Sequence, residues 1–185
     1  MPSYRALQLT IYWAAWLYPF VFRAPHNQKR ASITVSGPTL AGLFFELLSV
    51  ALALVLRLPA ASPGGAARIV ASCCAAVLAW IIAWTSVTHL GRQFRIRAGL
   101  YQDHQLIRTG PYAVVRHPIY ASFLAILAAT LLLNTPWQWT PLPLAAFLIG
   151  TELRVRSEDQ LLESRFGEQF RQYQRSVRAY IPLVR

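Results

Sequence analysis

Two apolar runs, Thr39 to Leu56 and Ile69 to Leu90, limit what this chain can become more than anything else in it. A helix needs about 20 consecutive apolar residues to cross a hydrocarbon core, and both runs are long enough to qualify. Three further apolar stretches accompany them: Ala6 to Phe22, Ile119 to Leu133 and Trp137 to Thr151. With 55% hydrophobic and only 14% charged residues, the 185-residue chain fits one domain but not an ordinary soluble one. The sequence therefore predicts an all-α, polytopic membrane protein with about five transmembrane helices. It reads as a single membrane domain over 1–185, with N-terminal transmembrane helices in 6–90 and a second, more polar region in 91–185.

The first stretch reads as a retained helix rather than a signal-peptide core or a helix lying in the headgroups. The residues after it, Arg23-Ala24-Pro25-His26, offer no small-residue cleavage site. The fourth and fifth stretches are short, each covering roughly 22 Å of a hydrocarbon core about 30 Å thick. They are expected to form a tight hairpin turning at Asn134-Thr135-Pro136.

The +11 formal charge would suit a nucleic-acid surface, but the placement of the basic residues argues against one. One precedes the first stretch, two flank the second connection and none lies in the hairpin turn. The alternate segments hold three, five and seven. Such a bias keeps the basic side in the cytoplasm and the N-terminus outside. These arginines are read as topology determinants and contacts to anionic lipid.

The polar segment between Leu90 and Ile119 is too long for a plain connection and is the place to expect a ligand. It ends in Arg116-His117-Pro118, a helix start whose backbone N–H groups and positive dipole end suit a carboxylate. Arg116 and His117 add side-chain donors, although a headgroup contact and a cap would explain them equally well. Arg154 and Glu158 stand four apart, so a fifth helix continuing past the membrane would put them on one face. Read alone they are a surface ion pair; the hairpin brings them toward Arg116 to Tyr120. From Glu158 onward, Leu162, Phe166, Phe170, Tyr173, Val177 and Ile181 recur at helical spacing and predict a C-terminal amphipathic helix that Gly167 bends.

Glu46, central in the second stretch, must be protonated or paired, and His89 suits a headgroup contact. Cys73 and Cys74 read as small packing residues. No spacing of His, Cys or acidic residues suits a metal, and no nucleophile elbow or phosphate-binding glycine loop is present.

The ordered pieces His104-Gln105-Leu106, Gly110-Pro111-Tyr112, Val115-Arg116-His117-Pro118-Ile119-Tyr120 and Arg154 with Glu158-Asp159 resemble the isoprenylcysteine carboxyl methyltransferase family and the related phospholipid N-methyltransferases. The ending, Phe166-Gly167, Phe170, Tyr173, Val177 and Ile181-Pro182, also fits, so the resemblance runs from about Leu90 onward. Two departures stand out: the family usually shows two glutamates where this chain has Glu158-Asp159, and commonly Tyr-x-Gly where Tyr120 precedes Ala121-Ser122.

The resemblance implies S-adenosyl-L-methionine as cofactor, no metal, and a lipophilic or prenylated acceptor entering from the bilayer. It also implies a multi-pass membrane location, with the active site, cofactor loop and C-terminus facing the cytoplasm. The compact chain suggests a bacterial inner membrane. By the same analogy His104, Leu106, Gly110, Tyr112, His117, Pro118, Tyr120 and Glu158 belong to the cofactor pocket, with Arg116 as support. Arg154 and Glu158 fall at the reacting end, where Arg154 would orient an acceptor carboxylate. The most favoured reaction is carboxyl methylation of an isoprenylcysteine-like substrate. Three alternatives stay open: methylation of a phosphatidylethanolamine-type amine, a non-enzymatic lipid- or partner-binding role, and a sterol-reductase-like relative.

Overall fold

The apolar runs do become helices. The computed structural model describes residues 4–23, 37–57, 65–91 and 105–182. Within these lie α1 (Tyr4–Phe22), α2 (Gly37–Val55), α3 (Ala66–Leu90), α4 (Pro118–Asn134), α5 (Pro141–Phe166) and α6 (Glu168–Ser176). Short 3₁₀ turns at Gly110–Ala113 and Trp137–Trp139 precede α4 and α5. Pro118 stands at the first position of α4 with His117 as its N-cap, as a helix start requires.

Among the described residues two helices, α2 and α3, are long and apolar enough to cross a membrane, with mean hydropathies of 2.0 and 2.1. Only 22% of each apolar window is buried inside the protein. Leu40, Leu43, Phe44, Leu47, Val70, Val77 and Ile81 all point outward. A soluble core helix would bury these side chains, so the exposed belt is suited to lipid.

Helix α4 is the central element. It packs on α3 and reaches α1 and α2, and Ile126, Leu127, Ala129, Leu131 and Leu133 are all buried. A helix enclosed on all sides has no polar face to show, which explains its uniform sequence. Ala76, Ala79 and Ala83 of α3 let it approach closely, and Trp16 of α1 fills the space beside Ile126 and Ala129. Trp16 Nε1 and Trp13 Nε1 donate to Ser122 Oγ at 3.1 Å and Thr130 Oγ1 at 3.2 Å.

The hairpin differs from the expected pair of short helices. Helix α4 has 17 residues and spans about 25 Å. Helix α5 runs unbroken for 26 residues, about 39 Å, because nothing helix-breaking separates its apolar start from Arg154 to Phe166. The turn between them also seals neighbouring helix ends. Arg68 donates to the carbonyls of Leu132 at 2.8 Å, Leu131 at 3.2 Å and Thr135 at 2.6 Å. Asn134 Nδ2 and Thr135 Oγ1 donate to Ala53 O at 2.7 and 3.0 Å. These side chains satisfy the carbonyls that a helix end leaves without intrahelical donors.

The expected C-terminal amphipathic helix is present as α6 but is shorter than its spacing suggested. Gly167, at φ +52°, ends α5 and starts α6, which stops at Ser176. Val177 is extended, and Val115 and Arg178 form an isolated parallel bridge. Arg116 N and His117 N donate to Arg178 O and Ala179 O, each at 2.7 Å. The chain after α6 therefore serves as a strap across the start of α4 instead of continuing the helix.

Helices α2 and α5 cross at glycines. A Cβ placed on Gly150 would lie 2.6 Å from Gly42 O and 2.9 Å from Glu46 N. Backbone atoms cannot swing aside, so this is a close small-residue crossing. Gly150→Ala is expected to destabilise the protein by about 3 kcal/mol despite alanine's better helix propensity. The melting temperature in detergent should fall by roughly 10 °C; an unchanged or higher value would refute the tight crossing.

Candidate active site

Around the N-terminus of α4, ionisable side chains from α2, α4 and α5 form an alternating line. Arg116 Nη2 donates to Asp159 Oδ2 at 2.9 Å. The other oxygen, Asp159 Oδ1, lies 2.7 Å from His117 Nε2. His117 Nδ1 lies 3.5 Å from Glu158 Oε2, and the Tyr120 hydroxyl donates to Glu158 Oε1. Beyond Glu158 comes Arg154, whose Nη2 is 3.9 Å from Glu158 Oε1. Its Nη1 bonds Glu46 Oε2 at 2.7 Å. Thr151 Oγ1 donates to Glu46 Oε1 at 3.3 Å, and Glu46 is fully buried.

The helices dictate this order. Residues 154 and 158 lie on one face of α5, and Gly42 and Gly150 bring α2 close enough for Glu46 to reach it. Asp159, one position on, faces α6, where Gln174 Nε2 donates to it at 3.2 Å. Arg116 in turn donates to Val177 O and, at 3.4 Å, to Gln174 O. The aspartate's shorter arm thus reaches both Arg116 and His117.

Burial alone would push His117 below its ordinary value. Its hydrogen bonds to Asp159 and Glu158, and their charges, outweigh that and lift it to about 9. Asp159, pushed up by burial, is held below its ordinary value by His117 and Arg116. With His117 protonated, Arg116, His117 and Arg154 balance Glu46, Glu158 and Asp159. Burying that many charges is tolerable only because they alternate in sign.

Among the described residues four buried side-chain donors have no hydrogen-bond partner: Ser49 Oγ, Arg116 Nε, Arg154 Nε and the Tyr112 hydroxyl. On a guanidinium, Nε and Nη2 form the edge that matches a carboxylate with two parallel bonds. Glu46 occupies Nη1, and Nη2 touches Glu158 only at 3.9 Å, so this edge is available. The guanidinium carbon sits 5.1 Å from the centre of the Tyr120 ring, which braces it from one side.

The sequence model for the "Isoprenylcysteine carboxyl methyltransferase (ICMT) family" matches residues 70–164, just over half of the chain. This chain belongs to the isoprenylcysteine carboxyl methyltransferase family. As a family member it is 29% identical over 114 residues to "Protein-S-isoprenylcysteine O-methyltransferase" of Tribolium castaneum, covering 60% of this chain and 40% of that protein. It is 34% identical over 83 residues to the protein of the same name from Schizosaccharomyces pombe, covering 45% of this chain and 35% of that one. With "Protein-S-isoprenylcysteine O-methyltransferase B" of Arabidopsis thaliana it shares 28% over 111 residues, 58% of this chain and 56% of that protein. This chain thus covers between about a third and just over half the length of these curated relatives.

Within this family member, Arg116, His117, Tyr120, Arg154 and Glu158 come together as the sequence suggested. Pro118 is buried at the first turn of α4. Tyr112 is buried nearby, its carbonyl accepting the Tyr173 hydroxyl. Gly110, at φ +59°, lies against the His89 ring; a Cβ there would meet His89 Nε2 at 2.3 Å. His89 is thus a partner of the glycine turn, where the sequence suggested a headgroup contact. Leu106 is half-buried, and His104 lies outside the described residues. The expected Arg154–Glu158 ion pair is the longer of Arg154's contacts; Glu46 holds it closer. Glu46, Thr151 and Gln174 were not chosen from sequence. Glu46 did carry a signal, an acid in the middle of an apolar run, but nothing named its partner.

A polar cavity of about 400 Å³ opens beside Asp159, lined by Arg116, Arg156, Arg178, Gln160, Glu163 and Gln174 among others. Arg154, Glu158, Tyr120 and Tyr112 do not line it. Among the described residues no group of His, Cys, Asp and Glu is arranged to hold a metal.

Proposed function

We propose that this protein is a membrane methyltransferase that uses S-adenosyl-L-methionine to esterify the carboxylate of a lipophilic, isoprenylcysteine-like acceptor. The observation that carries this reading is the unoccupied Nε–Nη2 edge of Arg154, buried beside Glu158 and Tyr120. A carboxylate fits that edge; the cationic amine of a phosphatidylethanolamine-type lipid would be repelled by it. A carboxylate acceptor is already ionised at neutral pH and asks no base of the protein. Arg154 has only to orient it and keep it dry.

The residues present fit the cofactor. Its sulfonium suits the Glu158 carboxylate and the Tyr120 ring, and its hydrogen-bond acceptors suit the buried, unpartnered Tyr112 hydroxyl. Bound there, S-adenosyl-L-methionine would supply an activated methyl group on sulfur. We assign Leu106, Gly110, Tyr112, Pro118, Tyr120 and Glu158 to its pocket, with His104 as a further candidate. His117 and Arg116, both held by Asp159, frame that pocket.

The same reading places all five apolar helices, α1 to α5, in the bilayer. The charged line and the C-terminus face the cytoplasm, and Trp137 and Trp139 lie at the opposite interface, where exposed indoles are at home. The acceptor would arrive laterally, past the outward-facing Leu43, Phe44 and Leu47 that flank Glu46.

Incubation with methyl-labelled S-adenosyl-L-methionine and a farnesylcysteine analogue is expected to give base-labile label in the analogue. Label appearing instead, and base-stable, in a phosphatidylethanolamine-containing lipid extract would overturn the carboxylate reading in favour of an amine acceptor. Absence of any cofactor binding by calorimetry would overturn both and leave a lipid- or partner-binding protein.

A further inference from the structure

We infer that Glu46 of α2, outside the family-matched region, is a positioning residue that holds Arg154 open for the acceptor. This rests on the proposed carboxyl methylation. Arg154 has two carboxylates within reach on opposite sides, Glu46 at 2.7 Å and Glu158 at 3.9 Å. Were Glu158 the closer partner, it would cap Nη2 and close the edge meant for the substrate. Its oxygens would also be drawn from Tyr120 and His117, which they now engage.

Glu46 prevents this by anchoring Nη1 from the other helix. Its own placement is fixed twice, by the Thr151 hydroxyl and by the backbone contact of Gly42 with Gly150. A carboxylate this deep in an apolar helix costs too much to serve as simple packing, and among the described residues its charged partner is the arginine of the reacting end. The Gly42 backbone supports the same conclusion: a Cβ there would strike Arg154 Cγ at 2.5 Å, so α2 is shaped around that side chain. Helix α2 is therefore part of the acceptor site as well as a membrane span.

The test uses the full chain in detergent with farnesylcysteine as the probe. In Glu46→Gln, farnesylcysteine binding measured without cofactor, and its KM in turnover, are expected to weaken about 10-fold or more. Affinity for S-adenosyl-L-methionine should stay within about twofold. Because Glu46 acts through Arg154, the double variant E46Q/R154Q should be no worse than R154Q alone. A role confined to folding would instead multiply the two losses and lower cofactor affinity as well, and either result overturns the inference.

Should E46Q fail to fold, Thr151→Val removes the hydroxyl that steadies Glu46 while keeping both charges. It is expected to raise the acceptor KM about threefold, and an unchanged KM overturns the inference. A wild-type protein that binds the cofactor but ignores farnesylcysteine removes the carboxylate reading, and Glu46's role with it. An active wild type beside an E46Q protein with unaltered acceptor affinity removes the Glu46 role alone.

Discussion

Arg154→Gln is expected to lower kcat/KM for a farnesylcysteine acceptor by about 10²- to 10³-fold. Truncating one partner of a buried, hydrogen-bonded charge pair costs about 2–5 kcal/mol, with roughly 1.4 kcal/mol for each tenfold in rate. The loss should appear mainly in acceptor KM if the arginine binds ground and transition states alike, and in kcat if alignment is its larger contribution. Arg154→Lys separates charge from shape. Lysine keeps the cation but offers no two-pronged edge, so it should recover only part of the activity. Cofactor affinity is the control: calorimetry on R154Q should match wild type, whereas lost cofactor binding with intact acceptor affinity would move Arg154 to the other side of the reaction. Folding must be checked alongside, because R154Q leaves Glu46 buried without its cation.

The physics of length and polarity explains which parts of this fold were legible in the sequence. Helices α1 to α3 end within a few residues of their apolar runs, because in such segments the hydrophobic pattern and the helix are one signal. The start of α4 was equally plain, since a proline is well suited to the first turn of a helix. Helix α5 was underestimated because hydropathy stops at Thr151 while the backbone does not. The i to i−4 bonds continue through any good helix former, charged or not. The C-terminal pattern misled in the other direction. Val177 and Ile181 keep helical spacing yet lie in the extended strap and the turn after it, where their neighbours pair with Val115, Arg116 and His117.

The site followed the same division. Arg116, His117, Tyr120, Arg154 and Glu158 converge because a hairpin of two helices returns the chain to its starting level, a consequence of topology available in advance. The connection from Arg154 to Glu46 spans 108 positions and depends on where two glycines allow α2 to cross α5. No local spacing encodes that. Asp159 was legible only as a departure from the family's paired acids; the two cations it would hold depend on the strap, which periodicity had assigned to a helix.

That strap leads to the largest stability effect to be expected. Asp159→Ala removes the anion shared by Arg116 and His117, both buried, and frees Gln174 as well. Stranding buried cations in this way costs about 3–5 kcal/mol, so the melting temperature should fall by roughly 10 °C or more. The wild-type pH profile should report the same contact. His117 holds its proton to about 9 in the folded protein, against an ordinary value of 6.5. Between those limits the folded state binds more protons than the unfolded state, so stability must fall as pH rises. The contribution is complete below about pH 6.5 and gone above about pH 9, and is worth about 3 kcal/mol at most. On the acid side Asp159 acts in the opposite sense. Its folded value lies below its ordinary 3.8, so its contribution is present above that and lost as the pH falls through the folded value. Melting curves in detergent across this range should therefore peak between about pH 4 and 6.5. In His117→Gln the decline toward pH 9 should vanish, because glutamine keeps a hydrogen bond to Asp159 but has no proton to lose. A decline of equal size in that variant would mean that another group titrates there, and that the Asp159–His117–Glu158 contact does not carry the charge assigned to it.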